Sequence, residues 1–210
     1  MLKFTPILLA ILYALAMYRF SVWRTRRELD AHSTELADPR LKAMTDRLAA
    51  ALDLPRIRVN IYEIDPVNGL AAPDGRIFIT RGFYDRFRKG EVTAEEMGSV
   101  IAHELGHITG GHILRYGEGM AAASRISLLS MIAGIGAALA GAGDAAMGIM
   151  MAGQQAAMGN FLSFSRTQES SADFAGAQYL SDAGISGRGS LEFFGKLLNQ
   201  EYRYNRSQSD

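Results

Sequence analysis

His103-Glu104-Leu105-Gly106-His107 sets two imidazoles four residues apart with a carboxylate between them. On an α-helix, residues i and i+4 share a face, so both rings can reach one metal ion. Glu104 then stands beside that ion, placed to take a proton from a water that the ion activates. The competing reading is a pair of surface histidines that happen to flank a glutamate. Histidine is scarce, with four in the chain, and His103, His107 and His112 fall within ten residues. That clustering favours the metal site.

A catalytic zinc site takes three protein ligands and keeps one position open. The chain has no cysteine, so the ligands must be histidines and carboxylates. The longer pattern HExxHxxGxxH is not met: Gly110 is in register, but Ile113 holds the third histidine position and His112 comes one residue early. His112 could still orient a nearby group, but a capping or surface position is the expected role. Glu169 is the better third ligand. It lies in Arg166-Thr167-Gln168-Glu169-Ser170-Ser171-Ala172-Asp173, at the expected start of a helix over Thr167–Ala183. Glu169 and Asp173 share a face there, and Ala172, Ala175, Gly176 and Ala177 would let that helix lie close to the histidines. Glu169 could then ligate while Asp173 accepts a hydrogen bond from the free nitrogen of a ligand histidine. The helix dipole alone also favours an acidic first turn, and Glu118, Asp144 and Glu192 are the other candidates.

The two histidines need a rigid helix. Thr93-Ala94-Glu95-Glu96 has capping-box spacing, and Met97, Val100, Ile101, Leu105 and Ile108 recur as a buried stripe. Gly110 and Gly111 offer a stop. Upstream, Pro39–Leu52 reads as an amphipathic helix with Leu41, Met44, Leu48 and Leu52 on one stripe. Arg56–Glu63 and Arg76–Thr80 read as strands, separated by turn signals at Asp65-Pro66 and Pro73-Asp74-Gly75. A short helix is expected after Gly82, and another over Ser190–Tyr204, with Gly184 as the cap before it.

The 210 residues suit one globular domain plus membrane elements, and 22 basic against 22 acidic residues argue against a nucleic-acid partner. Residues 1–23 are expected to form an N-terminal membrane anchor. Phe4–Tyr18 is uncharged, with Trp23 near an interface and Arg19, Arg24, Arg26 and Arg27 following. A cleavable signal peptide, with Ala14-Leu15-Ala16 as its cleavage site, is the alternative. The arginines favour an anchor whose lipid contacts leave the following domain in the cytoplasm, in a bacterial inner membrane. Residues 24–55 form the juxtamembrane segment and amphipathic helix, 56–204 the metal-binding domain, and 205–210 a polar tail. Within 126–165, Asp144 is the only charge among 40 residues rich in Gly, Ala and Met. If a ligand follows it, this segment must cross a membrane twice or not at all. Two arms of about 25 Å are short for spanning, so a helical hairpin beside the site, or dipped into the membrane surface, is expected.

Four blocks carry a family likeness: Val67-Asn68-Gly69-Leu70, Gly75 to Gly82, His103 to His107, and Ser165-Arg166-Thr167-Gln168-Glu169 with Ala172-Asp173. Together they resemble the HtpX-like and BepA-like zinc metallopeptidases, the gluzincin family that also contains the CAAX prenyl proteases. The likeness runs from about Val59 to Leu198. It implies an α+β, mainly helical, zincin-like fold with a small sheet over the HExxH helix. It also implies one zinc ion per chain on His103, His107 and Glu169, Glu104 as general base, and Asp173 behind a ligand. The implied activity is membrane-associated endoproteolysis of misfolded membrane or envelope proteins. Substrate is expected to lie along the strand Arg76–Thr80, touching Asn68, Ile77, Phe78, Ile79 and Arg166.

Two departures stand out. Asn68-Gly69 replaces the family's usual Asn-Ala. A further His-Pro element found after the Glu helix in many members has no counterpart, since no histidine follows His112. Either the chain is part of a longer protein or another group stabilises the transition state, with Arg166 and Tyr179 as substitutes. The rival readings are a non-catalytic binding module, which an intact Glu104 argues against, a membrane scaffold, which would need no zinc, and a prenyl-protein protease. The sequence sets no oligomeric state.

Overall fold

The computed structural model describes residues 5–196. The expected tail over 205–210, and the end of the helix expected over Ser190–Tyr204, lie outside the described residues. In chain order the elements are α1 (Thr5–Ala31), β1 (Ser33–Glu35), α2 (Pro39–Ala51), β2 (Arg58–Tyr62), β3 (Gly69–Ala71) and β4 (Arg76–Thr80). They continue with α3 (Arg81–Arg88), α4 (Ala94–Thr109), α5 (His112–Leu139) and α6 (Gly143–Asp182). A last helical stretch occupies 188–196.

Local signals explain where α2 and α4 begin. Asp38 caps α2 by accepting from the Arg40 N–H, with Pro39 in the first turn, where its missing N–H costs nothing. Leu41, Met44 and Leu48 form its buried stripe. α4 has a full capping box: the Thr93 N–H donates to Glu96 Oε2 at 2.7 Å, and the Glu96 N–H donates to Thr93 Oγ1 at 3.2 Å. Met97, Ile101 and Leu105 are buried on its inner face, with Val100 and Ile108 partly buried against the same core.

The sheet order is β1-β2-β4-β3. β2 and β4 are parallel, with Val59 opposite Ile77, while β3 runs antiparallel to β4 with Leu70 opposite Phe78. Two of these strands match the expected ones; β1 and β3 are three residues each, too short for alternation to announce them. Val59, Ile77 and Ile79 pack against Met97, Ile101 and Leu105 of α4, with Leu41 and Leu48 of α2 and Phe83 of α3 closing the core. The result is a mainly helical domain with one small mixed sheet.

A helix start is expected near Thr167, but α6 runs unbroken from Gly143 to Asp182. The polar run Ser163–Gln168 looks like a boundary, yet contains no proline, and α5 packs along α6 throughout this region. The apolar segment 126–165 is thus the far half of a hairpin formed by α5 and α6, turning at Gly141 (φ 84°).

Candidate active site

α4 carries His103, Glu104 and His107 on consecutive turns. The Nε2 atoms of the two histidines lie 3.1 Å apart, and Glu169 Oε2 of α6 lies 3.6 Å from the first and 3.7 Å from the second. Asp173, one turn further along α6, accepts a hydrogen bond from His103 Nδ1 at 2.8 Å. With the proton on Nδ1, the His103 Nε2 lone pair points at His107 and Glu169.

The two helices approach closely enough for this because small residues line the crossing. A Cβ at Gly106 would sit 2.7 Å from the Ala172 carbonyl oxygen, and one at Gly176 would sit 3.0 Å from the His103 nitrogen. Side chains there would hold α6 away and take Glu169 out of reach.

The donor set fits a divalent metal. An ion bonded to three N and O atoms at about 2.0–2.1 Å, with tetrahedral angles, holds them about 3.3–3.4 Å apart. The observed separations of 3.1, 3.6 and 3.7 Å bracket that value. Burial holds the His107 imidazole below its ordinary value, favouring the neutral form a ligand needs. Burial also pushes the Glu104 carboxyl up to about 7; His103 opposes this, Glu169 adds to it, and the Ala71 backbone opposes it weakly. A cation between the histidines would pull that value back down.

Glu104 faces a cavity of about 250 Å³. Its polar lining includes His103, Glu104, Glu169 and Asp173; its apolar lining includes Val67, Val100, Phe193 and Phe194. The model of peptidase family M48 matches residues 35–205 of the chain. The chain belongs to peptidase family M48. It is similar to the protease HtpX homolog of Salinibacter ruber, 33% identical over 135 residues, which cover 60% of this chain and 47% of that protein. It is similar to metalloprotease LoiP of Escherichia coli K12, 29% identical over 168 residues, 77% of this chain and 60% of that protein. The beta-barrel assembly-enhancing protease of Yersinia pestis is 27% identical over 182 residues, 83% of this chain and 36% of that protein. The chain therefore spans less than two thirds of each of these relatives.

Within this M48 domain, some expected positions fall elsewhere. β4 was expected to bind substrate at its edge, but it is paired on both sides, and Ile77, Phe78 and Ile79 are buried. Among the described residues, the strand edge left unpaired beside α4 is that of β3. Asn68 does line the cavity, and it is tied to Thr80 through its backbone N–H and carbonyl. Arg166 is exposed and is not among the residues lining the cavity. The Tyr179 hydroxyl is paired with Thr109 Oγ1 at 2.7 Å. Gly69, where the M48 relatives were expected to carry alanine, lies so close to α4 that a Cβ would meet Val100 Cγ1 at 2.7 Å.

Two site features differ from the expected ones. Phe193 and Phe194 line the cavity from 188–196, a juxtaposition no local pattern signals. His112, expected as a capping or surface residue with an orienting role as the alternative, is 6% exposed, and its Nδ1 lies 3.0 Å from His107 Nδ1. Its clustering with the other two histidines was the available clue.

Proposed function

We propose that this chain is a membrane-associated zinc endopeptidase of gluzincin type, with His103, His107 and Glu169 as ligands and Glu104 as the general base. The observation that carries the reading is the triangle of ligand atoms with the Glu104 carboxylate beside it in a cleft. Two imidazoles and one carboxylate are the ligand set of catalytic zinc, which supports zinc over harder cations. When bound there, zinc would supply Lewis-acid polarisation of a water and of the scissile carbonyl.

The chain's own residues account for the rest. Glu104 takes the proton from the attacking water and delivers it to the leaving amine. Asp173 holds the His103 ring through Nδ1–H, keeping Nε2 free to ligate. Substrate lies extended against the free edge of β3, beside Asn68, pairing through backbone hydrogen bonds. Val67, Val100, Phe193 and Phe194 receive one of its side chains. Backbone pairing reads any extended chain, which suits misfolded membrane or envelope proteins; the name of the Yersinia pestis relative, which refers to beta-barrel assembly, points the same way.

Membrane association is supported by two elements. α5 is long and apolar enough to cross a membrane, and α1 exposes Leu8, Leu9, Leu12, Leu15 and Trp23. The test is cleavage of casein by the zinc-loaded chain beside its Glu104→Gln variant. Cleavage by the unmodified chain, lost in Glu104→Gln and with a chelator, and restored to the unmodified chain by zinc, is expected. Equal cleavage by both chains, or none by either while zinc is held, would overturn the reading.

A further inference from the structure

A ligand histidine binds metal well only when its other ring nitrogen is held, because that contact sets the tautomer and the ring plane. Asp173 does this for His103. Among the described residues, no carboxylate pairs with the corresponding nitrogen of His107. That nitrogen meets His112 Nδ1 at 3.0 Å, the two rings standing edge to face with centroids 5.1 Å apart and planes at 80°.

We propose that His112 is a positioning residue for the metal centre, accepting the His107 Nδ1–H and so directing His107 Nε2 to the ion. The inference rests on the reading that His103, His107 and Glu169 hold a metal. With His107 ligating through Nε2, its proton sits on Nδ1 and is donated to the His112 Nδ1 lone pair; His112 then carries its own proton on Nε2. The backbone is built for this contact. Gly111 adopts φ 64°, a left-handed conformation that favours glycine, and turns the chain so that the first residue of α5 comes back against the last turn of α4. At 6% exposure the His112 ring is largely shielded from water, which would otherwise compete for this contact. His112 thus stands behind a ligand, and the one-residue mismatch with the HExxHxxGxxH pattern is what puts it there.

The test uses the full chain in detergent, stripped of metal, with zinc affinity measured by chelator competition. His112→Phe keeps an aromatic ring and removes the acceptor; His112→Asn can place an amide oxygen near the position of Nδ1. His112→Phe is expected to weaken zinc binding about ten- to hundredfold and to shift the absorption bands of the cobalt-substituted protein. His112→Asn should restore most of the affinity, with melting of both metal-free variants close to that of the unmodified chain. Should His112→Phe not fold, nitrogen-15 NMR of the four histidines in the zinc-loaded chain decides instead, with protons expected on His107 Nδ1 and His112 Nε2. Wild-type affinity in His112→Phe, equal losses in both folded variants, or a proton on His112 Nδ1 would overturn the inference. Failure of the unmodified chain to bind zinc would instead remove the metal reading beneath it.

Discussion

At the level of single residues the two proposed ligand histidines have unlike supports, a carboxylate behind His103 and an imidazole behind His107. A carboxylate strengthens the bond it accepts and raises the basicity of the far nitrogen, so charge as well as geometry is at work at His103. Asp173→Asn keeps an oxygen acceptor and removes the charge. It is expected to weaken zinc binding about tenfold in chelator competition, with little change in the metal-free melt. Unchanged affinity would mean that only the direction of the Nδ1–H matters. The spacing of His103 and His107, and of Glu169 and Asp173, was legible in the sequence because helical periodicity is local. The burial of His112 was not legible, because its direction depends on which of two adjacent glycines turns left-handed. Ile77, Phe78 and Ile79 were misjudged because strand order decides which strand keeps an open edge, and strand order is not local.

The elements that hold the site are fastened at more than one place. Small residues let α6 lie against α4, while the 188–196 stretch is clamped to the start of α4. Lys196 Nζ lies 2.7 Å from Glu96 Oε1 and also donates to the Glu91 carbonyl oxygen at 2.9 Å, and this clamp keeps Phe193 and Phe194 in the cavity wall. Glu96 is fully buried. Burial would push its carboxyl up, but the Lys196 ammonium and the Thr93 N–H together hold it below its ordinary value. A carboxyl lowered in the folded state stabilises fully above its unfolded value, near 4.5, and that contribution is lost as pH falls through the folded value. Lys196→Met leaves a buried carboxylate without its counter-charge at neutral pH, held by the Thr93 N–H alone, and no buried charge once Glu96 is protonated. Its destabilisation, read from urea unfolding, should therefore be largest near pH 7 and shrink as pH drops below about 4.5. A pH-independent difference would mean that the clamp acts through the Lys196 stem rather than its charge.

At the scale of the molecule, two apolar surfaces lie outside the core. One is α1; the other is the far half of the α5–α6 hairpin, where Leu128, Leu129, Ile132, Ile135 and Leu139 are all exposed. Unpartnered apolar area of this extent is unusual on a water-soluble monomer. The charges of α5, Arg115, Glu118 and Arg125, all fall in its first half. That leaves residues 126–139, about 21 Å of helix, against a hydrocarbon core of about 30 Å. α5 as a whole has the length to cross, but its charge-free arm alone would enter a bilayer without spanning it, which would keep His107 and Glu169 on one side. The absence of cysteine makes this directly measurable, since a single introduced thiol is the only one in the chain. In liposomes, Leu129→Cys and Leu139→Cys are expected to be shielded from a water-soluble maleimide, while Lys89→Cys on the globular face reacts. Asp144→Cys, at the hairpin turn, separates the remaining arrangements. Reaction only from the face opposite Lys89→Cys would mean that the hairpin spans, and full reaction at all four positions would put it in water. The dipped hairpin requires that Asp144→Cys be unreactive from the face opposite Lys89→Cys while the two leucine positions stay shielded.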